Sequence, residues 1–175
     1  HLFEGHSLRQ WAYQQTPGSN IWCVRDDGVL LCLTYMKEQS ISGWSRHVTD
    51  GQFMSVTSLS GGDDDVVICV VKRHIGGQDR FFLERMGGRF SDTVPLEEAF
   101  FVDCGMTKRY AEPTTVVSGL GHLAGCEVTA LADGSPIDRV VVHEDGTIEL
   151  PFAARTIHVG IPFESALSPS AVEAD

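Results

Sequence analysis

The sequence predicts an all-β protein built from antiparallel strands. Eighteen Gly and seven Pro are spread along 175 residues and divide the chain into many short segments, which favours strands and turns over long helices. Runs of β-branched and aromatic residues alternate with Asp-Gly and Gly-Gly pairs, which tolerate the positive φ angles of tight hairpin turns. With 42% hydrophobic residues, the chain is long enough to bury one sizeable core or two small ones.

The strongest hairpin signal lies in residues 21–35. Two apolar, β-prone runs flank an Asp-Asp-Gly sequence, and Asp27-Gly28 fits a two-residue type I′ turn. In that register Cys23 lies directly opposite Cys32, in a pair whose side chains are close. The two thiols could be in contact or could oxidise to a disulfide. Reduced thiols are the favoured interpretation, because an odd set of five cysteines without a CxxC pair indicates a reducing compartment and no zinc site.

A second Asp-Gly pair predicts another hairpin. Residues 41–48 and residues 52–59 are β-prone and flank Asp50-Gly51, so the logic of the first hairpin applies again. Together with the segments that follow, this predicts one continuous antiparallel meander over residues 21–86.

The segment Val66 to Lys72 is a continuous apolar run of strand length. It is suited to burial on both faces and is predicted to be a central strand, with Gly76-Gly77 turning the chain into residues 79–85. As an open edge this run would promote aggregation, so we expect a partner strand, from within or from a neighbouring subunit, to cover it.

The chain is expected to divide near Gly105, after a loop-like stretch with Gly87-Gly88 and Pro95 and a short β-prone run at residues 100–104. Further β-prone pieces separated by turn residues follow, at residues 114–117, 127–131, 139–142, 147–150 and 156–159. The final segment lacks the apolar density to order itself. We therefore predict an antiparallel meander over residues 1–104, a second small β unit over residues 105–165, and a flexible tail over residues 166–175.

The charge excludes several classes of function. The formal net charge is −11 and no basic run exceeds Lys72-Arg73, so a phosphate-binding stripe is absent and sequence-specific nucleic-acid binding is not expected. An acidic wall would still let a duplex slide through a channel, because it repels DNA phosphates. No apolar stretch approaches the about 18 to 20 residues needed to span a bilayer, and the start lacks a signal-peptide pattern. We expect a soluble, unexported chain. The sequence does not begin with Met, so a fragment of a longer polypeptide is one interpretation.

Seven segments of the sequence resemble one family of phage proteins, described as tail, tail-tubular or stabilisation proteins. Four segments match the first part of the family: IWCVRDDGVLLCLTY, GWSRHVTDGQFMSV, VVICVVKR and FFLERM. Three match its C-terminal part: FFVDCG, VSGLGHLAGCEVTALADG and IHVGIPF. They are spread along residues 8–163 in the family's order.

The resemblance implies both a fold and a role. In such proteins the first region resembles one or two blades of a β-propeller-like assembly, and the second resembles a small β-barrel or sandwich. The implied role is a non-catalytic subunit of the ring that extends the neck or tail tube below the portal, often a hexamer, in contact with other neck and tail proteins. It implies a location in the virion tail after assembly in the host cytoplasm. It implies no catalytic, cofactor-binding or metal-binding residues, so none are assigned.

The candidate sites in the sequence favour structural interpretations. Asp63-Asp64-Asp65 could coordinate calcium, but consecutive residues project in different directions, so a solvated turn that also blocks edge aggregation is favoured. Val117-Ser118-Gly119 departs from the GxSxG pattern of an activated serine. His122, among small residues, is predicted to anchor a tight turn through backbone carbonyls. The histidines share no HxH or HxxxH spacing and lie at His1, His6, His47, His74, His122, His143 and His158.

Five aromatic residues fall on the predicted strands of the meander: Trp22, Tyr35, Trp44, Phe53 and Phe81. Core packing is their ordinary role, because aromatic pairs across strands bury a large area. If the rings are exposed in a groove, they suit stacking on sugars. A receptor- or glycan-binding tail module is therefore the main alternative function, and a wall-degrading hydrolase with paired carboxylates is a third, weaker one.

Overall fold

A computed structural model confirms the all-β prediction and describes residues 2–88 and 91–167. These residues form three antiparallel sheets. The first sheet contains, in spatial order, β1 (Leu8–Gln14), β2 (Asn20–Arg25), β3 (Leu30–Met36) and β4 (Ile41–His47). The second contains β5 (Gln52–Ser60), β6 (Asp65–Ile75) and β7 (Gln78–Arg85). The third contains β8 (Asp103–Val117), β9 (Glu127–Ala132), β10 (Ser135–Val141) and β11 (Ile148–Ile161), in the order β10-β9-β11-β8.

Helical structure in the described ranges is limited to three single 3₁₀ turns, at Lys37–Gln39, Leu96–Glu98 and Gly121–Leu123. No helix in residues 2–88 or 91–167 is long and apolar enough to cross a membrane.

The first hairpin forms between β2 and β3, but its register differs from the prediction. Arg25 pairs with Val29, because the Arg25 amide donates to the Val29 carbonyl at 2.9 Å, and the loop has three residues ending in Gly28 at φ +85°. The additional loop residue moves the register by one, so Cys23 opposes Leu31 and Cys32 opposes Trp22. A one-residue shift places side chains on opposite faces of a sheet.

The predicted contact between Cys23 and Cys32 is therefore wrong. Cys23 packs with Leu31 on one face of the first sheet, whereas Cys32 packs with Trp22 on the other. All five cysteines lie within the described ranges and are free thiols.

The second Asp-Gly pair does not form a hairpin, so that prediction is also wrong. β4 pairs with β3 and β5 pairs with β6, so Asp50-Gly51 carries the chain from the first sheet to the second. Gly51 has φ +148°, and a Cβ there would lie 2.5 Å from the Lys72 carbonyl oxygen. The glycine is required by this close approach of two backbones. The predicted continuous meander is thus two meanders, one in each sheet.

The first and second sheets pack face to face as a two-layer sandwich. Its core contains Trp22, Val24, Leu30 and Cys32 from the first sheet and Val56, Val67, Cys69 and Val71 from the second. Val24, Leu30, Val56 and Val71 have no solvent exposure, and each such side chain contributes about 1.5 to 3 kcal/mol to folding.

The segment from Val66 to Lys72 lies in β6, which is the central strand of the second sheet, as predicted. Its burial is one-sided, however. Val67, Cys69 and Val71 are buried against the first sheet, whereas Val66 and Val70, on the opposite face, are only half-buried. In this strand successive side chains alternate between the core and a partly exposed surface.

The third sheet bends around its own core of apolar side chains, which includes Val117, Leu123, Val128 and Ile157. β11 pairs with β8 with several register shifts, and such bulges bend a strand pair. Within the described residues β8 and β10 are the two edges and do not pair, so a closed barrel is not formed. The predicted boundary near Gly105 falls inside β8. Residues 168–175 of the predicted tail lie outside the described residues.

Candidate functional site

A buried arginine lies at the junction between the sandwich and the third sheet. Arg73, on β6, is 2% exposed and donates through Nε and Nη2 to the two carboxylate oxygens of Glu84 at 2.7 and 2.8 Å. Its Nη1 donates to Thr49 Oγ1 at 2.9 Å and to the Asp50 carbonyl at 2.6 Å. A buried cation needs such pairing, since removal from water without it is costly.

The hydrogen-bond network continues into the third sheet. Thr49 Oγ1 accepts from Arg73 and donates to Asp103 Oδ2 at 2.5 Å, where β8 begins. Burial raises the pKa of the Asp103 carboxyl, and the Thr49 hydrogen bond and the Arg73 charge oppose that rise. Glu84, Arg73, Thr49 and Asp103 therefore link the second and third sheets through a chain of polar contacts.

A cavity of about 590 Å³ lies beside this network, and Phe53, Phe82 and Phe100 form part of its wall. Cys69 and Cys104 also line it, and burial raises the pKa of each thiol to about 12. These thiols are protonated at neutral pH and so are poor nucleophiles. With Glu84 bound to Arg73, the arrangement is suited to structural linkage between sheets.

His122 anchors the chain in the way the sequence predicts. Its Nε2 donates to the Cys104 carbonyl at 3.1 Å, and its ring lies 6.3 Å from that of Phe82. Cys104 has φ +48°, a conformation that costs free energy for a residue other than glycine. The histidine therefore connects a 3₁₀ turn to a strained position in β8.

His6, Asp26 and Asp27 bring three potential ligand atoms within 4.8 Å of one another. Sequence reasoning missed this group because its members lie in separate segments. Both oxygens of Asp27 are bound by Arg25, at 3.0 and 2.5 Å. Asp26 accepts from the amide and the hydroxyl of Ser7 at 3.0 and 2.9 Å, and these bonds lower its pKa to about 2. The carboxylates are already used by protein donors, so the group ties residues 2–7 to the first hairpin loop.

The other acidic and histidine candidates do not converge. Asp63 and Asp64 are exposed in a loop, whereas Asp65 Oδ2 accepts from the amides of Gln15 and Thr16 at 2.7 and 3.2 Å. Consequently Asp65 connects two sheets rather than joining its neighbours around a cation.

The histidines are likewise dispersed in separate hydrogen bonds. His74 bonds Asp79 at 3.0 Å, and buried His158 donates to the Glu97 carbonyl at 2.8 Å. His1 lies outside the described residues.

The outer face of the first sheet is rich in aromatic side chains. Trp11, Tyr13, Tyr35 and Trp44 are 65%, 50%, 49% and 41% exposed, and we call this surface the aromatic face. The register aligns Tyr13, Ile21, Leu33 and Trp44 in one row across all four strands. Of the aromatics noted in the sequence, Tyr35 and Trp44 thus point outward, whereas Trp22 is buried and Phe53 packs against the sandwich core.

Trp11 was missed in the sequence because residues 1–18 show no clear periodicity. It lies in β1, an edge strand whose pattern is weak because most of its side chains are exposed on both faces.

The outer face of the second sheet is apolar and, like the aromatic face, exposed. Leu83, Phe81 and Leu59 are 76%, 63% and 51% exposed. They surround the central strand, where Val70 opposes Leu83 and Val66 opposes Leu59. We call these residues, with Ile68, the aliphatic face, because all of them except Phe81 are aliphatic. Contiguous exposed apolar surface of this kind is typical of protein interaction sites.

No protein-family model matches the chain, and no curated protein matches it. The resemblance to phage tail proteins therefore depends on the sequence segments quoted above.

Proposed function

We propose that the chain is a structural subunit of a bacteriophage tail or neck assembly and acts by packing against other subunits, without catalysis. The observation that carries this proposal is the aliphatic face. A sheet face with Leu83 76% and Phe81 63% exposed gains stability when another surface removes it from water, at roughly 25 cal/mol per Å².

The charge of the molecule is compatible with this role. A net charge of −11 gives a ring of several copies a strongly acidic surface, which repels DNA phosphates. In the proposed assembly DNA passes without specific binding, the full-length protein forms a homo-oligomeric ring in the virion tail, and other neck and tail proteins are its neighbours.

The test is the solution mass of the purified chain. Light scattering over a range of concentrations, with electron microscopy of large species, is expected to show closed particles whose mass is a multiple of the chain's own. A strict monomer at every concentration would contradict self-assembly by this chain.

The aromatic face favours a second candidate function, a receptor- or glycan-binding module. Exposed aromatic rings on the outer face of a sheet offer stacking surfaces for sugars, and Trp11 is the most exposed of them. Binding to immobilised bacterial lipopolysaccharide and to peptidoglycan fragments tests this. Binding that Trp11→Ala weakens and Val141→Ala leaves unchanged would support this candidate.

A further inference from the structure

The sandwich has two outer apolar faces that point in opposite directions. The first and second sheets bury their inner faces against each other, so one copy cannot bring its aromatic face onto its own aliphatic face. We propose that the aromatic face of one copy covers the aliphatic face of the next copy. This contact rests on the proposed function, because it specifies the surfaces through which the subunits assemble.

Such a contact is head-to-tail. Each copy would use two different surfaces, and a heterologous contact of this type repeats until it closes a ring or extends as a filament. Two sheets stacked face to face lie about 10 Å apart with interdigitated side chains. The sandwich would therefore continue from copy to copy as alternating layers.

Charge complementarity favours a second copy as the occupant. The aromatic face carries exposed Arg46, which opposes Leu31 in the register, on a chain whose net charge is −11. The loop that connects the two strands β5 and β6 of the aliphatic face carries exposed Asp63 and Asp64. Stacking unlike faces allows Arg46 to meet these aspartates, whereas two aromatic faces would bring like charges together.

The positions of the cations on the aliphatic face are consistent with the same contact. Arg85 opposes Ile68 in the register and so shares the aliphatic face, and a guanidinium is a favourable partner for exposed aromatic rings. Lys72, on the same face, is paired with Asp79 at 2.6 Å. The aromatic face of a second copy would thus supply rings opposite Arg85.

Two lysine variants and their mixture test the contact. Trp11→Lys disables the aromatic face and Leu83→Lys disables the aliphatic face, and both side chains are exposed enough, at 65% and 76%, for folding to be retained. Each variant alone is expected to be monomeric, with association weakened about tenfold or more. An equimolar mixture is expected to form a dimer, because one intact face of each kind remains. Val141→Lys, on the third sheet, is the matched control and should keep the wild-type mass.

The outcomes separate this contact from the proposed function. Wild-type chain that stays monomeric overturns both. Wild-type oligomers that persist in either lysine variant overturn the contact alone, since like faces or other surfaces must then hold the copies together. A mixture that remains monomeric also overturns it. Lipopolysaccharide binding lost in Trp11→Lys at unchanged mass would assign the aromatic face to a glycan instead.

Discussion

Arg73 and Glu84 form a two-pronged ion pair on the inner face of the second sheet, with Nε–Oε1 at 2.7 Å and Nη2–Oε2 at 2.8 Å. The strands β6 and β7 that carry them are adjacent, yet the pair is offset from direct opposition because Arg73 opposes Arg80 and Glu84 opposes Cys69. The long arginine reaches diagonally across the hairpin. The Glu84 carboxylate neutralises the charge of Arg73, a side chain that is almost entirely removed from water.

Replacement of Glu84 by Gln is expected to lower the free energy of unfolding by about 3 to 5 kcal/mol, because Arg73 would remain buried without its counter-charge. Chemical denaturation measures the change. Glu127→Gln is the control, since its partner Arg139 is 60% exposed and exposed pairs contribute about 1 kcal/mol or less. Equal losses in the two variants would show that the buried pair has no special role.

The acid sensitivity of the chain is expected to depend in part on Asp26. The hydrogen bonds from the Ser7 amide and hydroxyl, then His6, lower its pKa from 3.8 to about 2 in the folded state. A lowered folded-state pKa gives stability that is present above the unfolded pKa and is lost as pH falls through the folded one. The stability gap between wild type and Asp26→Asn should therefore close between about pH 4 and pH 2.

Denaturation of both proteins over that range measures this dependence. In a Ser7→Ala background, Asp26→Asn should have a smaller effect on stability at neutral pH, because the hydroxyl donor is removed and the amide donor is kept. A gap that stays constant down to pH 2 would show that the Ser7 hydrogen bonds do not stabilise the ionised carboxylate.

Gly51 is expected to tolerate no side chain. Gly51→Ala would place a Cβ 2.5 Å from the Lys72 carbonyl oxygen at φ +148°, so we expect a loss of more than about 1 kcal/mol. Gly43→Ala is the matched control, because a Cβ there meets nothing within 4 Å and alanine favours a strand over glycine. Thermal unfolding of the two variants distinguishes a corner between sheets from an ordinary loop, in which both changes would be mild.

The sequence predicted strands far better than it predicted their partners. Alternation and turn residues are local signals, and they located β2, β3, β6 and β7 correctly. The pairing of Cys23 with Leu31 depends on whether the loop contains two or three residues, and Asp-Asp-Gly is compatible with both.

The same limit applies to the corner between the sheets, to the orientation of two tryptophans and to the buried ion pair. Asp50-Gly51 is compatible with a hairpin turn and with a corner between sheets. The contact of Gly51 with Lys72, a residue distant in the sequence, decides between them. Whether Trp22 or Trp44 faces the core depends on which face of the first sheet the second sheet covers. No local sequence pattern specifies this. Sequence reasoning missed the Arg73–Glu84 pair because the predicted strand ended at Lys72 and no local pattern brings Glu84 next to Arg73.

Charge reversal on one side of the proposed head-to-tail contact is expected to weaken assembly, and reversal on both sides is expected to restore it. Asp63→Lys with Asp64→Lys should weaken assembly, because each aliphatic face would then present positive charge to Arg46 of the next copy. Arg46→Glu in the same chain should restore it, since every contact again joins opposite charges. The oligomer mass, measured by light scattering at low salt, is the readout, and screening makes the effect smaller at high salt. If the triple variant assembles as weakly as the variant with only the two aspartates changed, Arg46 and these aspartates do not face each other.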